Sequence, residues 1–193
     1  ATTGIYTLSL HDALPISLAA TANKCLHGAP GISFVMAHPD VWSNTLTEPS
    51  TVYFNLFDYF QAQYADGFSP FTPATHVAFA FKVALDEFFD SGGWHQRNRL
   101  FDSRAKRIAG SLLELGVKTL LPAADYSSVL YSYLLPTGVS YAALHDFLKT
   151  NGFVIYQGQG NLSETIFRIS TMGEITEEKI SLLCTLFNEF FGP

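Results

Sequence analysis

The 193-residue sequence is poor in charged residues and in cysteine, and each shortage excludes a class of protein. Its 11 basic and 17 acidic side chains give a net charge of −6, which argues against the basic footprint of a nucleic-acid-binding protein. Two cysteines, Cys25 and Cys184, are too few for a disulfide framework or a four-cysteine zinc site. No apolar run approaches the roughly 20 residues of a membrane-spanning helix.

The sequence also lacks the short motifs of several common enzymes. It has no Gly-x-Ser-x-Gly nucleophile turn, no glycine-rich phosphate loop before Lys-Ser or Lys-Thr, and no His-Glu-x-x-His zinc helix. What it does have is an apolar content of 48% and the length of one domain, or of one large and one small. These features predict a folded chain with a substantial core.

The first 17 residues, ATTGIYTLSLHDALPIS, differ in character from the rest of the chain. They contain no Lys or Arg, and polar residues interrupt their apolar positions, which fits neither a secretory signal nor a transit peptide. Their last part resembles translated sequencing-adapter DNA, so we expect residues 1–17 to be non-native and the native chain to enter near Leu18. The alternative is an ordinary strand and turn that ends at Pro15.

Residues 18–94 are predicted to hold two strands and two helices, the first strand buried. The predicted elements are strands at 18–22 and 32–37, a loop at 43–51, and helices at 52–65 and 75–89. The second helix is apolar on nearly every face, which predicts burial between layers.

Residues 95–193 are predicted to be a small α+β domain. Its first helix, at 94–115, has an inner stripe of apolar residues that leaves its Lys and Arg residues outside. The later elements are strands at 117–121, 128–135, 153–156 and 165–170, and two helices capped by Ser140 and Thr176.

Lys24 is the only basic residue before position 82, and it lies between a strand of small residues and a Gly-x-Pro-Gly turn. A partly buried lysine loses its charge readily and can attack the carbonyl of an aldehyde cofactor. A surface lysine that extends from a loop into solvent is the alternative, and the spacing alone does not exclude it.

Two further segments offer groups for binding anions. Arg168 is the only basic residue between positions 150 and 178, and it lies between Phe167 and Ile169 in a predicted strand. In a strand its side chain points away from the face of these two neighbours. If that side is a cleft, the guanidinium would suit a carboxylate or phosphonate. A solvent-exposed arginine on an edge strand is the alternative. Thr72 and Thr75 precede a helix, where they could bind an anion or cap the helix.

Four segments, in order, resemble the class V branch of the fold type I pyridoxal-phosphate (PLP) aminotransferases, in particular the 2-aminoethylphosphonate–pyruvate aminotransferase family. The resemblance covers about residues 18–191. The four segments are Thr21-Ala22-Asn23-Lys24-Cys25 with its Gly-x-Pro-Gly turn, Phe71-Thr72-Pro73, Gly152-Phe153-Val154-Ile155-Tyr156, and Phe167-Arg168-Ile169-Ser170-Thr171.

The resemblance implies a role for each matching residue. Lys24 would bind the PLP cofactor covalently and then carry a proton, while Arg168 would bind the acid group of the substrate. Thr72 would reach the cofactor phosphate of the other subunit of a homodimer, with Thr75 as a near alternative. The expected reaction moves an amino group from 2-aminoethylphosphonate to pyruvate, giving phosphonoacetaldehyde and alanine, in the cytoplasm.

The chain also departs from that family, whose intact members are about twice as long. The family's glycine-rich phosphate loop, its ring stacked on the cofactor and its pyridine-binding Asp have no counterpart here. The expected fold is therefore the C-terminal half of an α/β enzyme, with a remnant of the large domain over 18–94 and a small domain over 95–193. Such a half should not transaminate alone. The alternatives are an alanine–glyoxylate or serine–pyruvate aminotransferase, or an inactive remnant.

Overall fold

The computed structural model describes residues 17–43 and 51–192. These residues form two compact units, the first ending at Glu87 and the second beginning at Phe88. The expected non-native segment, except for Ser17, and nearly all of the expected loop at 43–51 lie outside the described residues. Those predictions, and the domain boundary expected at 94/95, stay predictions.

The first unit contains a two-stranded antiparallel sheet among its described residues. Its strands β1 (Ser17–Thr21) and β2 (Ser33–Ala37) pair with Ala19 opposite Val35. The short helix α1 (Pro39–Ser43) follows β2 directly. Proline suits that place because its fixed φ is already helical and a first helical residue needs no hydrogen-bonded N–H. Two longer helices follow: α2 (Leu56–Asp66) and α3 (Thr75–Asp90).

Helix α2 begins four residues later than predicted. Asn55 is its N-cap, and the Asn55 side-chain oxygen accepts a hydrogen bond from the Phe57 N–H at 3.2 Å. The aromatic residues at 53 and 54 continue the helical spacing beyond this cap, which is why the predicted start at Val52 was wrong. The end is as predicted, because Gly67 adopts a left-handed φ of 72° and donates to the Gln63 carbonyl.

The predicted burial of strand β1 and of helix α3 was wrong. On α3 only Val77 and Ala84 are buried, while Phe79 is 71% exposed. Leu18 on β1 is also exposed. Within the described part of this unit, only one side of α3 has apolar neighbours, such as Phe34, whose ring stacks on Phe81 at 5.9 Å.

The second unit is an antiparallel three-stranded sheet packed with helices. Its sheet has the order β3-β5-β4, with β5 in the centre. Its elements are α4 (Gly93–Glu114), β3 (Leu130–Leu134), α5 (Tyr141–Thr150), β4 (Tyr156–Gln157), β5 (Ile166–Ser170) and α6 (Glu177–Phe191).

Two predicted strands of this unit differ from the structure for the same reason. Residues 117–121 form only a single bridge, Thr119 to Tyr133, and the strand predicted at 153–156 is displaced to β4. In both places the N–H of the strand's first residue is used to close the preceding helix. Val117 donates to Leu112 at 2.9 Å, and Phe153 donates to Leu148 at 2.9 Å.

The core of the second unit lies where α4, α5 and α6 cover one face of the sheet. Fully buried residues include Leu112, Leu144, Phe167 and Phe187. The predicted caps are confirmed: the Ser140 hydroxyl accepts from the Ala143 N–H at 3.2 Å, and Thr176 accepts from Lys179 at 3.4 Å.

Candidate functional site

Lys24 lies in a tight turn that follows strand β1. The Gly28 N–H donates to the Ala22 carbonyl at 2.8 Å, and the His27 N–H donates to the Lys24 carbonyl at 3.0 Å. Gly28 suits the first of these contacts, since a Cβ there would crowd the Ala22 Cβ and carbonyl oxygen at 3.0 Å. The small residues around Lys24 therefore bring the two ends of the turn together.

The Lys24 side chain is exposed, which agrees with the surface lysine that the sequence left open and not with the partly buried one. The buried position at this turn is taken by Ala22, which is 0% exposed, two residues before the lysine. Within the described part of the chain, no carboxylate pairs with the Lys24 amine. A lysine supplies the primary amine that, when neutral, condenses with an aldehyde, so the donor chemistry at this position fits the PLP cofactor.

Thr72 and Thr75 lie at the start of helix α3, and both are exposed. The Thr75 N–H donates to the Pro73 carbonyl at 2.9 Å, and the first regular helical bond runs from Ala78 to Ala74. Neither threonine hydroxyl is hydrogen-bonded to a described residue. Both hydroxyls are thus available for an anion, and the choice between Thr72 and Thr75 stays open.

Arg168 is in the middle of β5, the central strand of the second unit's sheet. Phe167 and Ile169 are buried on the core face, and the alternation of a strand directs Arg168 to the opposite face. Its Nε donates to the Gln157 carbonyl at 2.9 Å. No described residue accepts a hydrogen bond from the two terminal nitrogens, which leaves the guanidinium fork available for an anion.

Arg104 on α4 is a structural residue that the sequence analysis missed. It is 3% exposed, and its guanidinium donates to three backbone carbonyls that follow β5: Thr171 at 3.1 Å, Gly173 at 3.0 Å and Ile175 at 2.5 Å. Burial lowers its pKa, and the carboxylates of Glu174 and Glu177 act in the opposite direction.

The expectation that every Arg and Lys of this helix lies off the inner stripe was therefore wrong. Position 104 is three residues after Phe101 and four before Ile108, and both of these are buried. Helical residues with this spacing share a face. The spacing alone indicated a buried position, but the charge of the arginine indicated an exposed one.

The three predicted site residues are distributed over both units. Lys24 and Thr72 belong to the first, and Arg168 belongs to the second. No group of three or more potential metal-ligating side chains occurs among residues 17–43 and 51–192. Of the helices described, none has the length and apolar character to cross a membrane.

Curated proteins named 2-aminoethylphosphonate–pyruvate transaminase match most of this chain. The protein from Bacteroides fragilis is 32% identical over 174 residues, which cover 89% of this chain and 48% of that protein. The protein from Syntrophobacter fumaroxidans is 34% identical over 169 residues, or 86% of this chain and 45% of that protein. The chain thus spans about half the length of these relatives. No family model matches it.

Solved aminotransferase structures share the fold. The aspartate aminotransferase of subgroup IV from Thermus thermophilus superposes with a TM-score of 0.79 at 26% identity, covering 91% of this chain and 48% of that one. The alanine–glyoxylate aminotransferase from Nostoc sp. has a TM-score of 0.76 at 17% identity, with 90% and 47% covered. The predicted fold, that of the C-terminal half of a PLP-dependent aminotransferase, is confirmed, and so is the resemblance to class V.

Proposed function

We propose that this chain, which resembles the class V aminotransferases in sequence and in fold, corresponds to the C-terminal half of a transaminase for 2-aminoethylphosphonate. The whole enzyme would transfer the amino group to pyruvate, giving phosphonoacetaldehyde and alanine. The observation that carries the proposal is the position of Lys24 on a hydrogen-bonded turn where the resemblance requires a cofactor lysine, with no carboxylate paired to its amine among the described residues.

Lys24 and Arg168 would divide the chemistry between them. PLP, when bound, supplies an electron sink for the bond that breaks at the substrate carbon. The Lys24 Nζ would hold the cofactor and then, as a neutral amine, accept the proton from the amine-bearing carbon of the substrate. The Arg168 guanidinium would hold the phosphonate of the substrate.

Thr72 is the proposed contact to the cofactor phosphate, through its unbonded hydroxyl at the start of α3. In the proposed enzyme this contact is made across a homodimer, so that each site uses two subunits. We place the enzyme in the cytoplasm and propose no membrane or nucleic-acid partner.

Two alternatives make different predictions. An alanine–glyoxylate or serine–pyruvate aminotransferase would use alanine or serine as the amino donor. An inactive remnant would bind no cofactor, and its exposed apolar residues, Phe79 and Val83 among them, would drive self-association. Light scattering of the purified chain, with and without PLP, distinguishes the inactive remnant from an enzyme. The remnant would stay self-associated and would bind no cofactor.

The proposal is tested by supplying the half of a related transaminase that this chain does not cover. The 193-residue chain is co-expressed with the uncovered half of the Bacteroides fragilis transaminase, and amino transfer to pyruvate is measured with three donors. We expect turnover with 2-aminoethylphosphonate, none with alanine or serine, and none from the chain alone. Lys24→Ala should abolish turnover, whereas the matched Lys82→Ala, at an exposed helix position, should not. Turnover with serine or alanine but not with the phosphonate would contradict the proposed substrate.

A further inference from the structure

Three polar side chains form a row across the open face of the second unit's sheet. In the strand register, Arg168 pairs with Ser132 on β3 and with Tyr156 on β4. Residues directly opposite each other in antiparallel strands point to the same face, with their Cβ atoms about 5 Å apart. Ser132 and Tyr156 therefore flank the arginine on its two sides.

The packing of the sheet confirms which face carries this row. Tyr131 and Tyr133, the neighbours of Ser132, are buried in the core, as are the neighbours of Arg168 in β5. Tyr156 is 63% exposed and follows the buried Ile155. The row thus lies on the face of the sheet opposite the core.

Apart from the Arg168 Nε, which donates to Gln157, the side-chain donors in this row are not used by the described residues of the protein. The hydroxyls of Ser132 and Tyr156 have no hydrogen-bond partner there, and neither do the terminal nitrogens of Arg168. Tyr141 differs, because its hydroxyl donates to the Ile155 carbonyl at 2.8 Å. The arginine and its two strand neighbours are therefore the groups that can receive a ligand.

The chemistry of the proposed substrate explains why an arginine would need such neighbours. A guanidinium fork binds two oxygens in one plane, which satisfies a carboxylate. A phosphonate has three oxygens arranged as a tripod, so one oxygen remains after the fork is filled. A hydroxyl placed beside the fork can donate to that third oxygen, and this contact is lost when the ligand is a carboxylate.

We infer that Ser132 and Tyr156 are specificity residues that let Arg168 select a phosphonate over a carboxylate. The inference rests on the proposed function, because it assigns the same arginine to the acid group of the substrate. It adds the two hydroxyls that distinguish an aminophosphonate donor from an amino acid.

The test compares three small probes of similar length that differ in their acid group. 2-Aminoethylphosphonate has three oxygens and up to two charges, 2-aminoethanesulfonate has three oxygens and one charge, and 3-aminopropanoate has two oxygens and one charge. Each is titrated into the ¹⁵N-labelled 193-residue chain, and binding is followed at the Arg168 Nε–H signal, which Arg168→Lys identifies by its loss. The sulfonate separates the effect of oxygen number from that of charge.

We expect affinity to fall in the order phosphonate, sulfonate, carboxylate. Tyr156→Phe and Ser132→Ala should each weaken the phosphonate and the sulfonate, by roughly five- to tenfold for a lost hydrogen bond to an anion. Binding of the carboxylate should change by less than about twofold, since it leaves no third oxygen. Tyr64→Phe, at an exposed tyrosine of the first unit, is the matched control and should change nothing.

The possible failures are distinguishable. If both hydroxyl variants bind all three probes like the unmodified chain while Arg168→Lys releases them, the inference is wrong and the arginine keeps its proposed role. If Arg168→Lys binds the phosphonate unchanged, with binding then followed by calorimetry, the role of Arg168 in the proposed function is wrong as well. Equal loss of all three probes in Tyr156→Phe would also overturn the inference, because it would show a general effect on the sheet.

Discussion

The two units of this chain differ in how completely their apolar residues are buried. In the second unit, buried side chains from every strand and helix except β4 meet in one core, among them Leu112, Leu148 and Phe187. In the first unit, the buried apolar residues within the described segments are Ala22, Val77 and Ala84, while Tyr53, Phe54, Tyr64, Phe68 and Phe79 are more than half exposed. The second unit therefore has an extensive core of its own, whereas the described residues of the first unit bury few apolar side chains.

This difference in packing affects how firmly each candidate site residue is held. Arg168 is on the central strand of a sheet with a packed core, whereas Lys24 lies on a turn after a two-stranded sheet whose strands are partly exposed. A binding residue on the first kind of support is held in place by the core, and one on the second kind depends on local hydrogen bonds. We therefore expect the first unit to become more ordered than the second when further protein or cofactor is added.

The largest predicted effect is on the core of the second unit. Phe187→Ala removes a fully buried ring from α6 and should lower the free energy of unfolding by about 3–5 kcal/mol. The matched change Phe79→Ala, at an exposed position of α3, should cost less than about 0.5 kcal/mol. Urea unfolding followed by circular dichroism measures both, and similar costs for the two would break the contrast between the units.

The next effect is on the buried arginine. Arg104→Met should destabilise the second unit by about 3 kcal/mol, because three backbone carbonyls lose their donor inside the protein. Arg104→Lys should not restore stability, since a single ammonium group cannot reproduce the geometry of the guanidinium fork. Arg99→Met, at an exposed position of the same helix, is the control, and a loss as large as that of Arg104→Met would contradict the account.

The smallest predicted effect compares two helix caps. Ser140→Ala should destabilise α5 by about 1 kcal/mol. Asn55→Ala removes the corresponding bond from α2 in the first unit.

Hydrogen exchange should show that the amides of α2 already exchange faster than those of α5 in the unmodified chain, because α2 has no buried residue to hold it. Slower exchange in α2 than in α5 would contradict this ranking.

The elements that the sequence predicted well are those whose apolar pattern and cap agree. Helix α6 begins after the predicted cap Thr176, and its buried residues, among them Ile180, Leu183 and Phe187, are three or four positions apart in the sequence. The exposure of α3 could not be predicted, because an apolar face in the sequence does not say whether a partner layer is present. Strand β4 was displaced because the bond from Phe153 to Leu148 belongs to a helix end, which hydrophobic alternation does not record.

The candidate site was predictable in its residue types and less so in its surroundings. The isolation of Lys24 and Arg168 in the sequence singled them out, and alternation along β5 indicated the side to which Arg168 points. The exposure of Lys24 was one of two possibilities that the sequence left open, because a strand of small residues suggests a buried end while the following turn suggests a surface loop. The neighbours of Arg168 across the sheet were not foreseen either, since strand register depends on which strands pair and a single sequence does not give it.

The central claim, that Lys24 is the cofactor lysine, is tested most directly by chemical trapping. The 193-residue chain is mixed with PLP, reduced with borohydride and digested, and the modified lysines are identified by mass spectrometry. The account predicts that the label concentrates on Lys24, that Lys24→Arg loses it, and that Lys82→Arg keeps it. An even distribution over the exposed lysines, or unchanged labelling of the Lys24→Arg chain, would contradict the account.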